Sequence, residues 1–431
     1  MKKVLIVVYY WPPSGGSGVQ RWLKFAKYLS YSSWQPIIYT PENPDFSIKD
    51  ETLLAEIPAN IQVIKKPIWE PYDVARKLVG KQQKISSSGL VEKSGPLHKL
   101  INFLRGNLFV PDPKIFWKRP SVNFLSKYIL ENKVDALITS GTPHSLHLIG
   151  LALKKKLNVP WIADFRDPWS ELDMLQNYHI MKPVMKKYRR LEKAVLENAD
   201  LCTITSDSWR DDLKRLGAAK AVTLTNGFDE DNFKQTLEPY EKFVMSHFGL
   251  MNHLRNPKNL WQALAEICKE NSGFDQSFAL HLGGTIDNRI LDEIKAYPEL
   301  RNKLKVFPYL SHEEVLEEYQ KSSLLLLLLF NSDSGRGNIP GKLFEYLAAK
   351  KPILGFGPAS GDSKEIVEKL PHSYFNFYNT ASVNELKAQI KSVFDARSAL
   401  NADDFKTSER YSHALLTDQL VAILDETSGF I

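Results

Sequence analysis

The sequence predicts an α/β protein made of two doubly wound parallel sheets. Three observations carry that expectation. Short continuous apolar runs, such as residues 4–10 and 324–329, have the length and composition of strands buried on both faces. Stretches of helical periodicity, such as 19–29 and 185–198, lie between such runs. The strand–helix alternation then starts a second time after a join at 226–240. Two such sheets are expected to face a central cleft with the carboxyl ends of their strands, where ligands bind in this architecture.

The first half opens with strand 4–10, loop 11–18 (WPPSGGSG), helix 19–29 and strand 36–40, a βαβ start. Further strands are expected at 61–64, 136–139, 161–163, 201–205 and 221–225. The second half places strands at 243–248, 278–282, 304–307, 324–329 and 353–356. Its helices are expected near 259–270, 312–321 and 341–349. The expected domains are 1–235 and 236–410, both Rossmann-like, with 411–431 carrying a last helix back to the first. Residues 72–118 are basic, rich in Pro, Trp and Phe, and read as an insertion containing an apolar-periodic piece at 97–108.

Composition narrows the class. The chain has 431 residues, 25% of them charged and 43% hydrophobic, which suits two or three ordinary soluble domains. The formal net charge of +6 is too small for a nucleic-acid polycation and leaves room for a local basic face toward phosphates or anionic lipid. Two cysteines, Cys202 and Cys268, form neither a disulfide framework nor a metal spacing, so a reducing, cytoplasmic setting is expected. No apolar run approaches the ~20 residues of a membrane helix. The opening MKKVLIVVYYWPP reads as a first buried strand rather than a signal peptide, since no small-residue cleavage site follows.

The candidate site residues cluster at strand ends. Gly337 to Leu354 reads GNIPGKLFEYLAAKKPIL: a loop, a short helix with one glutamate, then a strand. Pro340 and Gly341 open the helix, whose N-terminus favours anions. Leu343 follows, Lys342 is near enough to meet a phosphate, and Glu345 can accept from a ribose diol. Arg255 and Lys258 follow the strand that ends at Gly249; they read as a pyrophosphate clamp or as ordinary surface charge. Gly283 and Gly284 end the next strand and either give a nucleotide room or make a turn. In the first half, Gly16 and Gly18 open a helix but lack the third glycine of the dinucleotide fingerprint, where Arg21 stands. They form a structural turn or a contact to a donor diphosphate or an acceptor. His144, in a loop after strand 136–139, is solvated or a substrate contact. Asp164, Arg166 and Asp167 in ADFRDPWS form an Arg–Asp brace or contact a sugar or acceptor. Asp229-Glu230-Asp231 has the letters of a metal-binding DxD, but its place at the join reads as linker and helix cap.

Taken together, VVYYWPPSGGSGVQR, IADFRDPW, NGFD, RNP and PGKLFEYLAAKKPIL resemble the GT-B fold glycosyltransferases of family 4, over nearly the whole chain. That resemblance implies a retaining, metal-independent transferase with no bound cofactor, moving a sugar from a nucleotide sugar to a glycan or lipid-linked saccharide in cell-surface polysaccharide synthesis. It implies that Glu345 holds the ribose, as the second glutamate of an E-x7-E element. It further implies that Arg255 fills a phosphate-binding lysine position, and that backbone at Phe307 and Pro308 receives the base. Gly249, Gly283 and Gly341 would line the donor, while Lys342 sits near phosphate. Arg255, Lys258, Lys342 and His144 are the catalytic candidates. Two departures stand out: Gly337 replaces the first glutamate of E-x7-E, and Leu250 replaces the family's arginine beside Gly249. They keep open a catalytically inactive nucleotide-sugar-binding partner; a nucleotide-sugar 2-epimerase shares the architecture. The basic, aromatic piece 97–118 either rests peripherally on the inner face of a membrane or packs into its own domain. No nucleic-acid partner is expected.

Overall fold

The computed structural model describes residues 1–46, 48–71, 96–172, 175, 178–235, 237–330, 333–378 and 380–429. The chain divides into two compact units, Met1–Thr225 with His413–Ile431, and Asn226–Ser412. The division falls earlier than the expected 235/236. Arg21 donates to the carbonyls of Leu224 and Thr225 (both 2.9 Å), which ties those residues to the first unit. Phe228 N–H donates to the Tyr411 carbonyl (3.0 Å), which ties the following segment to the second.

The first unit has a seven-stranded parallel sheet in the order β3-β2-β1-β4-β5-β6-β7. Its strands are β1 (Lys2–Val7), β2 (Trp34–Pro41), β3 (Gln62–Lys66), β4 (Ala136–Gly141), β5 (Trp161–Phe165), β6 (Leu201–Ile204) and β7 (Ala221–Thr223). β4 and β5 are fully buried and β1 is buried from Val4 onward, which is why they read as apolar runs. The helix Ser17–Leu29 starts two residues earlier than expected, at the glycine loop itself. The C-terminal helix His413–Ser428 belongs to this unit, burying Leu416, Leu420 and Leu424 with Phe25, Ala26 and Leu29 of helix Ser17–Leu29.

Residues 72–95 of the expected insertion lie outside the described residues. The rest of it, helix Pro96–Leu108 and the 3-10 turn Pro113–Trp117, is built into the first unit. Trp117 is buried and stacks on Tyr39 of β2 with ring centres 4.8 Å apart. Asp112 accepts from the Ser145 N–H and hydroxyl (both 2.8 Å) and so caps helix Ser145–Leu157.

The second unit repeats the plan with six parallel strands in the order β10-β9-β8-β11-β12-β13. These are β8 (Phe243–Phe248), β9 (Phe278–Gly283), β10 (Leu304–Val306), β11 (Leu324–Leu328), β12 (Ile353–Gly357) and β13 (Tyr374–Phe377). β13 was not anticipated; its sequence YFNF is half exposed and gives no apolar run. In both sheets the order reverses between the first and fourth strands of the unit, β1/β4 and β8/β11. Loops leaving those strands flank a crevice at the carboxyl edge, the place where an open parallel sheet binds ligands.

Candidate functional site

In the second unit the switch point brings together three features that are separate in sequence. Gly249 follows β8, Arg255 lies in a short 3-10 turn beyond it, and helix Gly341–Ala349 follows β11. The helix is capped by Pro340 with no side-chain hydrogen bond and has no acidic residue in its first turn. Its first N–H groups and positive dipole end therefore favour an anion. Gly341 has no neighbour that a Cβ would meet, so the approach is open.

Lys342 reaches from this helix to Gly249, where a Cβ would fall on its ammonium group. Burial lowers its pKa to about 8, further depressed by Arg255 and partly restored by Glu345. Arg255 is half-buried, with its guanidinium 3.6 Å from the centre of the Phe330 ring. Burial depresses its pKa too, and its buried Nε has no hydrogen-bond partner. Neither cation makes an ion pair with a carboxylate within 4.0 Å among the described residues. Two part-desolvated positive charges, one of them beside glycine backbone at a helix N-terminus, suit an anion.

Glu345 lies one turn along the same helix, half-buried, and meets His312 Nε2 at 2.9 Å. His312 gave no signal in the sequence, since its contact depends on helix His312–Lys321 packing beside helix Gly341–Ala349. Lys258 is exposed at the first position of helix Lys258–Glu270, whereas the buried Lys342 ammonium feels the charge of Arg255. Leu343 is a core residue, not a lining one: its side chain is buried and its N–H is spent on the Pro340 carbonyl (2.9 Å). Phe307 N–H donates to Leu282 (2.8 Å) and Pro308 has none, so that pair can offer only carbonyls to a base. Gly283 and Gly284 serve close packing. Gly283 accepts from Gly249 N–H (2.9 Å) and lies against Phe248. Gly284 has φ of +94° and lies so near Gly249 that a Cβ would sit 2.5 Å from its carbonyl oxygen. Gly337 ends a short 3-10 turn, Asp333–Gly337, ahead of Pro340.

In the first unit, Tyr9, Tyr10, Gly18, Ser140, Thr142 and Arg166 line a small hollow at the β1/β4 switch point. Gly16 takes φ of +83°, which lets the loop turn into helix Ser17–Leu29. Arg166 donates to the Gly18 carbonyl (2.6 Å) and lies over the Tyr10 ring. Asp167 accepts from the Thr142 hydroxyl (3.3 Å). Asp164 does not face this hollow as a ligand contact. It is 1% exposed and accepts from Arg21, Trp22, Ser140 and Thr203. The brace is therefore Arg21–Asp164, not a pair with Arg166. Burial pushes the Asp164 carboxyl up, but Arg21 and the hydroxyl donors outweigh it and hold it below the usual value. His144 is not a solvated loop residue. It is buried, stacked on Trp169 at 5.0 Å, and kept neutral by burial next to His147. Asp229 caps its own turn by accepting from Asp231 N–H (3.1 Å), consistent with the linker reading.

Residues 91–232 match the family model described as Glycosyltransferase Family 4. That match spans about a third of the chain, and the two-unit α/β architecture is that of the GT-B fold. Solved structures of the same fold span its length. A glycosyltransferase from Rickettsia africae is 16% identical, with a TM-score of 0.64, covering 99% of this chain and 98% of its own. Anabaena HepE, solved in complex with UDP, is 14% identical with a TM-score of 0.61, covering 99% and 100%. A putative UDP-N-acetylglucosamine 2-epimerase from Listeria monocytogenes is 10% identical with a TM-score of 0.56, covering 100% and 98%. No curated protein matches the sequence. The family 4 match and the switch-point residues occupy different units: the match lies mostly in the first, while Arg255 and Lys342 lie in the second.

Proposed function

We propose that this chain is a retaining glycosyltransferase that takes a sugar from a nucleoside-diphosphate sugar and passes it to a saccharide or lipid-linked saccharide acceptor. One observation carries the reading: Lys342, at the open N-terminus of helix Gly341–Ala349, is part-desolvated, feels the charge of the part-desolvated Arg255, and like it has no carboxylate partner among the described residues. A diphosphate would complement this positive charge. As the anomeric bond breaks, negative charge grows on the leaving phosphate, and these two cations with the helix N–H groups would stabilise it. The charge then needs no metal. In a front-face transfer the departing phosphate oxygen takes the proton of the attacking hydroxyl, so no side-chain base is assigned. Glu345, with His312 orienting its carboxylate, would hold the ribose diol. The HepE structure was solved with UDP, which supports a nucleotide site in this fold. Polysaccharide synthesis at the cell surface is the setting that the family resemblance favours.

Lys342 also bears on the inactive-partner alternative. The loop after β8 carries Leu250 where a cation is usual, yet Lys342 brings an ammonium to Gly249 from another element. Thermal-shift measurement against UDP-, GDP-, dTDP- and CMP-sugars, followed by product analysis on acceptor extracts, tests the proposal. A nucleotide-dependent shift that Glu345→Ala removes, together with sugar transfer, supports it. A shift without turnover on any acceptor would favour the inactive partner, and release of a C2-epimerised sugar would favour an epimerase.

A further inference from the structure

The outer face of helix Lys182–Asn198 carries Lys182, Lys186, Lys187, Arg189 and Arg190, all exposed. None of these five makes an ion pair among the described residues. The opposite face buries Tyr188, Val195 and Leu196 in the core of the first unit, so the positive side has nowhere to turn but outward. Both glutamates of the helix are committed: Glu192 is buried and accepts from Ser170 N–H (3.2 Å), and Glu197 pairs with Lys193. The basic face is uncompensated by its own element.

Beside it lies an exposed apolar strip. Tyr188 donates to the Gly106 carbonyl (3.2 Å) and Met181 N–H donates to Asn107 (2.8 Å), which fixes the start of the basic helix along helix Pro96–Leu108. On that neighbouring helix Leu104 and Leu108 stand one turn apart and exposed, Leu108 by 65%. Met181 is exposed at the junction. The strip continues through Phe109 to Phe116, 6.0 Å between ring centres, and to Trp69, 4.7 Å further and 56% exposed. Single exposed apolar residues need no explanation, but a connected strip of Leu, Met, Phe and Trp does.

We propose that this face docks on an anionic phospholipid bilayer. The charge decides the occupant. An apolar strip alone would suit a protein partner or a second copy, whereas a second copy would bring the same excess of cations against this one. Aromatic and leucine side chains beside a row of unpaired lysines and arginines match the boundary between acyl chains and acidic headgroups. The segment around 97–118 supplies the apolar half, and helix Lys182–Asn198, far away in sequence, supplies the charge. This inference does not rest on the donor reading, because vesicle binding is measured without turnover.

The test is co-sedimentation of the full chain with vesicles of phosphatidylcholine alone and of phosphatidylcholine mixed with phosphatidylglycerol, at low and high salt. Binding should require phosphatidylglycerol and weaken with salt. A variant combining Lys186→Glu, Lys187→Glu, Arg189→Glu and Arg190→Glu should lower the partition coefficient by more than about tenfold. A second variant, Trp69→Ser with Leu108→Ser, should remove the binding that survives high salt while leaving Tm unchanged. No sedimentation with anionic vesicles overturns the proposal, as does binding that the charge-reversal variant leaves intact. Equal capture by a soluble polyanion such as heparin, with no advantage for vesicles, overturns it in favour of generic anion binding. A large Tm loss in the second variant overturns it as well, since the strip would then be covered by the chain itself.

Discussion

Lys342 is the residue on which the proposed donor site turns, and its titration gives a signed prediction. Its pKa of about 8 lies below the 10.5 of an exposed lysine because burial disfavours the ammonium. Between those values the unfolded chain binds more protons than the folded one, so in the free protein this group adds stability as pH rises from about 8 toward 10.5. Diphosphate binding runs the other way. It needs the charged form, so affinity should be full below about pH 8 and fall as pH rises through it. Lys342→Met should lower nucleoside-diphosphate affinity by roughly 10- to 100-fold, as expected for a lost charge-assisted contact. It should also flatten the pH dependence, both effects being read by isothermal calorimetry. An equally steep pH profile in the variant would move the titrating group elsewhere. Asp164 illustrates the opposite kind of residue, one whose charge holds the fold. Asp164→Asn leaves Arg21 buried against a neutral partner, at an expected cost of about 3–5 kcal/mol in unfolding free energy. Because its folded pKa is depressed, the wild-type contribution is present above the ordinary carboxylate value near 3.8 and lost as acid titrates the group. Urea unfolding at neutral pH and at acid pH measures both: the gap between wild type and Asp164→Asn should narrow in acid.

Among the elements, the loops leaving β8 and β9 separate two uses of glycine. At Gly249 a methyl group would meet the end of a flexible lysine, so Gly249→Ala should fold with a small change in Tm but push Lys342 aside and weaken nucleotide binding by about tenfold. At Gly284 the methyl would meet backbone, at positive φ, and the strained conformation alone costs about 1–3 kcal/mol. Gly284→Ala should therefore lose stability first. Comparing Tm with nucleotide affinity for the two variants checks the distinction; equal Tm losses would refute it. These loops also mark what could be read in the sequence. Fully buried strands were legible because burial on both faces leaves an unbroken apolar run; residues 243–248 are both the expected and the observed β8. Half-exposed β13 left no such run. That Lys342 and Glu345 share one short helix behind a Gly/Pro loop was legible from the sequence. The position of the Lys342 ammonium at Gly249, the His312 contact and the Arg21 partner of Asp164 were not. Each joins residues whose proximity is set by strand order, which local pattern does not encode.

For the molecule as a whole, the path of the chain has a physical consequence. The second unit leaves the first at Thr225 and rejoins it at His413, and its two ends pair with each other through Phe228 and Ser412. It is thus continuous in sequence, with adjacent termini and its own buried cores, the conditions under which a segment folds by itself. The first unit has no such independence from the C-terminus. Helix His413–Ser428 supplies Leu416, Leu420 and Leu424 to the core around helix Ser17–Leu29, and Asp425 pairs with Lys2 and accepts from Trp34 Nε1 (2.9 Å). Leu420→Ala opens a cavity at a site only 1% exposed and should cost about 2–5 kcal/mol, all of it in the first unit. A fragment of residues 226–412 should in turn unfold cooperatively and keep its thermal shift with a nucleoside diphosphate, since Arg255, Lys342 and Glu345 all lie within it. Calorimetry on the full chain, the Leu420→Ala variant and the fragment can check both halves together. The expected pattern is one transition lowered by Leu420→Ala and a second, nucleotide-sensitive transition unmoved and reproduced by the fragment. A fragment without a cooperative transition, or a mutation that lowers both transitions equally, would show that the second unit depends on the first for its fold.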